Sequence, residues 1–410
     1  MQQTERLTTA TGNNKLFGLD HLRALAITLV FVFHYRIFQH PRWIDDAGSF
    51  GWTGVDLFFV LSGYLIAGQL FQNIAAGKGI AVGEFYLKRF FRIIPAYLVV
   101  VTLYFCIPAF REREALPPLW KFLTFTQNIG LDIRKRGTFS HAWSLCIEEQ
   151  FYLLLPLIMS GFLYFKAGNT HNVGELRPEG LVHNRARPGR AGWLLFLLFV
   201  AGFGIRLLCW YQRVAPLHDT DQFGVTWYKW IYYPLWSRLD SLLVGVGIAG
   251  LFQFFPHIRE RITRRGNLLL VMGLGLATGA YFLCADQYTL PASVLGFPLI
   301  ALAYGTILMA AVSPSCFLYR LRSGVTSNIA ALSYALYLTH KGIIHLMQQQ
   351  LPRWGIAGDS NLMFFLCMGA ALLGALVLRV TVERPFLKLR DRVLQKKRDN
   401  REQTPVELRA

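Results

Sequence analysis

Ten stretches of roughly 20 mostly apolar residues, each long enough to cross a hydrocarbon layer about 30 Å thick, run through this sequence. They fall at 19–38, 51–71, 87–107, 145–165, 192–210, 234–255, 267–284, 291–312, 329–349 and 361–381. A bilayer interior offers no water to backbone N–H and C=O groups, so segments of this length cross it as helices. The expected fold is all-α, a polytopic transmembrane helix bundle of about ten spans. The implied layout is a tail at 1–18, a membrane domain at 19–381 and a basic tail at 382–410. Charged residues make up 16% of the 410, against about 25% in soluble domains, and no stretch is left over for a second globular domain. A cleaved signal peptide is not expected, because the first apolar run holds Asp20 and Arg23 and lacks a small-residue cleavage site.

An even number of spans puts both termini on one side. With the termini cytoplasmic, the inner segments hold 23 Lys and Arg and the outer loops 10, the bias that membrane insertion favours. The exception is the outer loop 108–144, which has six basic residues but also Glu112, Glu114 and Asp132. The formal charge of +18 thus reads as positive-inside anchoring against the lipid bilayer, and no nucleic-acid partner is expected. The loop 166–191, rich in Gly, Arg and Pro, reads as flexible. Six cysteines lie singly, with no CxxC pair, so neither a metal site nor a disulfide framework is expected.

Ionisable residues inside spans are costly and tend to face the bundle interior. The first span reads LDHLRALAITLVFVFHYRIF. Arg23 and His34 are 11 residues apart, about three turns, so they share a face some 16 Å apart along the axis. The bland alternatives are an Arg23 that snorkels to the interface and a His34 that only bonds a neighbouring helix. Asp56 opens the second span, GWTGVDLFFVLSGYLIAG, at an expected depth matching His34, where a carboxylate would fix the imidazole tautomer. It could equally close a helix start near water. Gly51, Gly54, Ser62 and Gly63 would permit close helix packing.

In YLKRFFRIIP, Lys88, Arg89 and Arg92 sit at the inner end of the third span, either as ordinary anchors or as a clamp for phosphates. In FSHAWSLCIEEQFY, the residues His141, Ser144, Glu148 and Tyr152 share one helical face as the fourth span enters, with Glu149 beside it. Arg238 and Asp240 are two apart, so they point to different partners. His340, followed by Lys341, falls near the middle of the ninth span. One cluster (Arg23, Lys88, Arg89, Arg92) is cytoplasmic, and another (His34, Asp56, His141, Glu148, Arg238, Asp240) lies toward the outside. Periodicity alone does not choose a reaction between them.

The motifs together resemble those of the bacterial acyltransferase type 3 family. LDHLRALAI…FH is similar to its arginine-x10-histidine signature, GWTGVDLFFVLSGYLI to its second-helix motif, KRFFRIIP to its RxxR motif and HAWSLCIEEQFYLLLP to its WSL-x-x-E-E-Q-FY motif. SYALYLTH is similar to its late histidine motif and VERP to its usual ending, in the right order from about 20 to 385. One departure is His21, where the family commonly has Gly. The resemblance implies ten or so helices in a bacterial cytoplasmic membrane. It implies O-acylation of extracytoplasmic glycans, lipopolysaccharide or related molecules from an acyl-CoA, most often acetyl-CoA, approached from the cytoplasm. It implies a catalytic role for His34, and donor handling or a structural role for Arg23, Arg89 and Arg92. Many relatives carry a C-terminal SGNH hydrolase-like domain, for which these 410 residues leave no room.

The expected enzyme therefore moves an acyl group from acyl-CoA to a hydroxyl of a glycan or glycolipid. His34 serves as general base or acyl carrier, Asp56 or Glu148 orients it, and Arg23, Lys88, Arg89 and Arg92 hold the donor. Ser144, Glu149, His141, Arg238, Asp240 and His340 are further candidates. The competing expectation is a multi-span transporter or flippase using the same buried charges as a substrate path.

Overall fold

The computed structural model describes residues 16–77, 79–168 and 189–403. Most of the expected N-terminal tail, most of the loop expected to be flexible and residues 404–410 lie outside these. Every expected span finds a helix. These are α1 (Phe17–Tyr35), α2 (Gly54–Ala75), α3 (Val82–Cys106), α4 (Trp143–Gly168), α5 (Gly189–Cys209), α6 (Asp240–Phe254), α7 (Gly266–Leu283), α8 (Phe297–Ala311), α9 (Gly324–Gln350) and α10 (Asn361–Leu378). A single π-type turn, Arg379–Glu383, joins α10 to α11 (Arg384–Gln403), a basic helix that takes up most of the expected tail. Among the described residues there is no strand.

By length and hydropathy eight helices can cross a membrane, and a ninth crossing is counted if α6 is joined to the helix Pro256–Thr263, from which it bends by 110°. The helix at the expected ninth span, α9, is 27 residues long, about 40 Å, but it falls outside that count because it carries His340, Lys341, His345 and Gln348; it is packed between α1 and α10. The sixth helix starts six residues later than the apolar run does, because Leu235–Ser237 forms a separate 3-10 turn. That turn leaves Arg238 just ahead of the helix.

Small residues set the closest approaches. A side chain at Gly63 would lie 2.2 Å from the carbonyl oxygen of Leu242, and one at Gly245 would lie 2.3 Å from that of Val60. Further along, Gly68 faces Ala249 and Gly250 faces Phe71, so α2 and α6 run parallel with their backbones nearly touching. Gly54 packs on the carbonyl of Ala26 and Gly51 on that of Leu29, which sets α2 antiparallel to α1. The close packing expected of Gly51, Gly54 and Gly63 is present, whereas Ser62 instead donates to Glu148. α7 and α8 form a hairpin in which Gly273 meets Ile307. α1 and α9 run parallel, tied by Ser327 to Asp20 (3.0 Å), Thr326 to His21 (2.8 Å) and His340 to His34 (2.9 Å). The helices alternate in direction, so α1 begins and α10 ends at the same face, called proximal below; the opposite face is distal. Trp193, Leu197, Phe282 and Leu373 point outward from the bundle, as lipid-facing residues do.

Candidate active site

Three imidazoles meet toward the distal end of α1. His34 comes from α1, His340 from α9, and His141 from the turn Ser140–Ala142 that leads into α4. Their ring centroids are 4.9–5.6 Å apart, and all three are buried. The protons follow from the partners. His340 Nδ1 lies 3.0 Å and 2.9 Å from the carbonyl oxygens of Leu336 and Tyr337. Carbonyls only accept, so Nδ1 carries the proton and Nε2 of a neutral His340 is an acceptor. His34 Nδ1, 2.9 Å away, then donates to it, which leaves the lone pair of His34 on Nε2. His340 thereby sets the tautomer of His34, the office that a carboxylate fills in other histidine sites. Among the described residues neither ring nitrogen of His141 has a partner in hydrogen-bonding geometry, a costly state for a buried imidazole.

The position of His141 depends on a strained residue. Phe139 has φ 54°, left-handed for a bulky side chain, which costs about 1–3 kcal/mol. Its ring stacks 4.4 Å from Tyr104 and packs on Phe122, and its N–H donates to Glu112 at 3.0 Å. Glu112 in turn pairs with Lys341 at 2.7 Å, both side chains almost fully buried. The acid–base content of the long distal loop thus ties it to α9, one residue from His340.

The expected contact between Asp56 and His34 is not made. Gly54 stands opposite Ala26 and Gly51 opposite Leu29, so Asp56 is level with residue 24 of α1, about 15 Å short of His34. Asp56 instead accepts from Arg238 (2.9 Å) and Ser241 (3.0 Å). Arg238 also lies 4.1 Å from the ring centre of Phe297 and 4.8 Å from that of Tyr232. Asp240, as its spacing implied, has a different partner. It pairs with Arg206 of α5 at 2.6 Å, and Arg206 also donates to the carbonyl of Ser237. Arg206 belongs to none of the motifs, although a lone arginine in the run GFGIRLLC is itself a signal of an internal partner.

A cavity of about 620 Å³ opens beside α2, lined from Val55 to Gln72, a rise of roughly 25 Å. Arg23, Arg89, Arg92 and Glu148 line it, and so does Arg259 of the bent helix. Ser62 donates to Glu148 at 2.8 Å, which places Glu148 with the arginines and away from His34, against the expectation that it orients the imidazole. Arg89 stacks over Tyr152 at 4.8 Å. Arg23 lies 4.0 Å from Asp20, whereas neither Arg89 nor Arg92 has a carboxylate within 4 Å among the described residues. Lys88, expected in the clamp, is half-exposed, pairs with Glu84 at 2.7 Å and does not line the cavity. Glu149 is outside the lining too.

At its distal end the cavity reaches Ser144 and Tyr337. The Tyr337 hydroxyl donates to the carbonyl of His141 at 2.6 Å and accepts from Ser144 at 2.5 Å. Its ring lies 5.6 Å from His141 and 6.1 Å from His340. Tyr337 is thus the wall between the arginine-lined cavity and the histidines. Only its place one turn before His340 marks it in the sequence.

The family model described as an acyltransferase domain matches residues 16–380. The chain belongs to this acyltransferase family. The acyltransferase is similar to the O-acetyltransferase OatA of Staphylococcus aureus, 27% identical over 82% of this chain and 52% of that protein. It is also similar to the peptidoglycan O-acetyltransferase OatA of Listeria monocytogenes, 27% identical over 83% of this chain and 51% of that one. A putative O-acetyltransferase of Staphylococcus aureus is 24% identical over 95% of the chain and 60% of its own length. The chain spans a little over half the length of these relatives. No solved structure matches.

Proposed function

We propose that this acyltransferase carries an acetyl group from acetyl-CoA to a hydroxyl of a glycan, with His34 as the general base. The observation that carries this reading is one cavity that gathers Arg23, Arg89 and Arg92, the last two with no carboxylate within 4 Å among the described residues, and that ends on the tyrosine packed against the histidine cluster. Guanidinium groups suit phosphates, so the donor's diphosphate sits with Arg23, Arg89 and Arg92 and its flexible arm runs toward Ser144 and Tyr337. Passage of the acyl group to His34 requires the Tyr337 side chain to leave the carbonyl of His141. Nε2 of His34 then takes the proton of the acceptor hydroxyl as the oxygen attacks the thioester carbonyl, and returns it to the departing thiolate. His141, with both nitrogens unpartnered, is placed to bond the acceptor hydroxyl. The names of the two relatives whose acceptor or reaction is stated favour a cell-wall glycan acceptor and acetyl as the group moved.

In this reading the proximal face is cytoplasmic. The basic loops, the cavity mouth and both termini face the acyl-CoA pool of a bacterial cell, and the histidines face the outer half of its cytoplasmic membrane. The test is acetyl transfer by the full chain in proteoliposomes, followed by mass spectrometry of an added glycan. His34→Ala is expected to insert normally and lose about 10²–10⁴-fold in rate. Undiminished transfer in that variant would reject His34 as the base.

A further inference from the structure

The arginines already given to the diphosphate lie along the middle of the cavity, on α1 and α3, and they do not account for its mouth. There α2 contributes Gln69 and Gln72, and the end of α6 contributes Gln253. At Pro256 the chain turns by 110° into the helix Pro256–Thr263, which brings Arg259 into the same lining. Arg259 has no carboxylate within 4 Å among the described residues; its guanidinium lies 5.7 Å from the ring centre of Phe252, another lining residue. Arg264, just past this helix, instead pairs with Glu260 at 2.6 Å and does not line the cavity. Along α2 the lining therefore runs from the neutral amides of Gln69 and Gln72, with Arg259, toward Ser62, Glu148 and the other arginines, and ends at the hydroxyls of Ser144 and Tyr337 beside the imidazoles. An acyl-CoA presents its groups in the same order: a phosphorylated nucleoside, a diphosphate, and an arm ending in the thioester.

Resting on the donor assigned above, we propose that Arg259, with Gln253 and Gln72, forms a separate subsite at the mouth that recognises the 3′-phosphorylated nucleoside of the donor. The bend at Pro256 exists, on this view, to aim a basic side chain into the cavity; a straight α6 would carry it past the bundle. Arg259 is a specificity residue for the donor and takes no part in the chemical step.

The experiment uses the full chain in proteoliposomes with acetyl-CoA and acetyl-dephospho-CoA, which differ only in the 3′-phosphate. Wild type is expected to show a KM about tenfold lower for acetyl-CoA, the usual worth of one charge-assisted phosphate contact. Arg259→Gln raises the KM for acetyl-CoA about tenfold and thereby abolishes the preference, while Arg259→Lys retains part of it. Equal KM values for the two donors in wild type, or an Arg259→Gln variant that raises both or neither, would overturn the subsite and leave the donor reading standing. If wild type consumes neither thioester, the donor reading itself fails and the subsite falls with it.

Discussion

The membrane domain holds two kinds of arginine. Arg206 and Arg238 are fully enclosed, and each is matched by its own aspartate at 2.6 Å and 2.9 Å. Arg89 and Arg92 line a cavity that Glu148 also lines, and among the described residues neither has a carboxylate within 4 Å. The first kind has its counter-charge built in, so it has nothing to offer a ligand. It ties α5, the approach to α6, and α2 together, and sits under aromatic rings that exclude water. The second kind is a cationic surface held ready for an anion that must come from elsewhere. A charge inside a membrane protein is therefore not in itself a sign of a binding site, and the presence or absence of its partner is what separates the two.

The comparison breaks most visibly by leaving one matched arginine alone. Asp56→Ala strands Arg238 in a dry interior, where the loss is expected to be about 3–5 kcal/mol, read as a lower melting temperature in detergent and poor accumulation in the membrane. Removing both partners as Asp56→Leu with Arg238→Met should recover most of it. Little change in Asp56→Ala would show that the pair does not support the fold. The next largest effect is at the distal end. His340→Phe removes the acceptor that sets the His34 tautomer, and a drop of roughly 10²-fold in kcat, the lower end of what general-base catalysis supplies, is expected with little change in KM. A change confined to KM would contradict that role.

Arg92→Ala sharpens the contrast from the other side. It should raise the KM for acetyl-CoA by about tenfold without lowering thermal stability, because no buried aspartate is orphaned. Destabilisation equal to that of Asp56→Ala would erase the distinction between the two kinds of arginine. Lys88→Ala is the smallest. With its exposed pairing to Glu84, the variant should stay within about 0.5 kcal/mol of wild type and leave donor KM alone; a KM rise comparable to that of Arg92→Ala would return Lys88 to the clamp.

Much of the fold was legible because lipid imposes it. Runs of 20 apolar residues have only one way to satisfy their backbones, and all ten expected segments are helices. The harder element was α9, whose His, Lys and Gln content lowers its hydropathy below that of a lipid-facing span and which packs between α1 and α10. At the site, the shared face of Arg23 and His34 and the different partners of Arg238 and Asp240 followed from helical spacing. The pairing of Asp56 with His34 did not, since it assumed a register. Two helices joined by a short loop need not be level, and the glycine contacts slide Asp56 about 15 Å from where the loop length alone would put it. Glu112 lies in the loop that stood out only for its charge, and Arg259 lies between expected spans, where no periodicity speaks.

By itself the sequence determined the ten apolar segments that form helices, the segments that collect basic residues and the family to which the chain belongs, all of which depend on one-dimensional quantities such as apolar length, charge count and motif order. Only the tertiary structure decided which charges cancel one another and which face a cavity, that His34 leans on another histidine and not on a carboxylate, and that Tyr337 stands between the cavity and the imidazoles. Those are contacts between residues as far as 306 positions apart, and their identity depends on how helices slide and rotate against each other, which side-chain spacing within one helix does not encode.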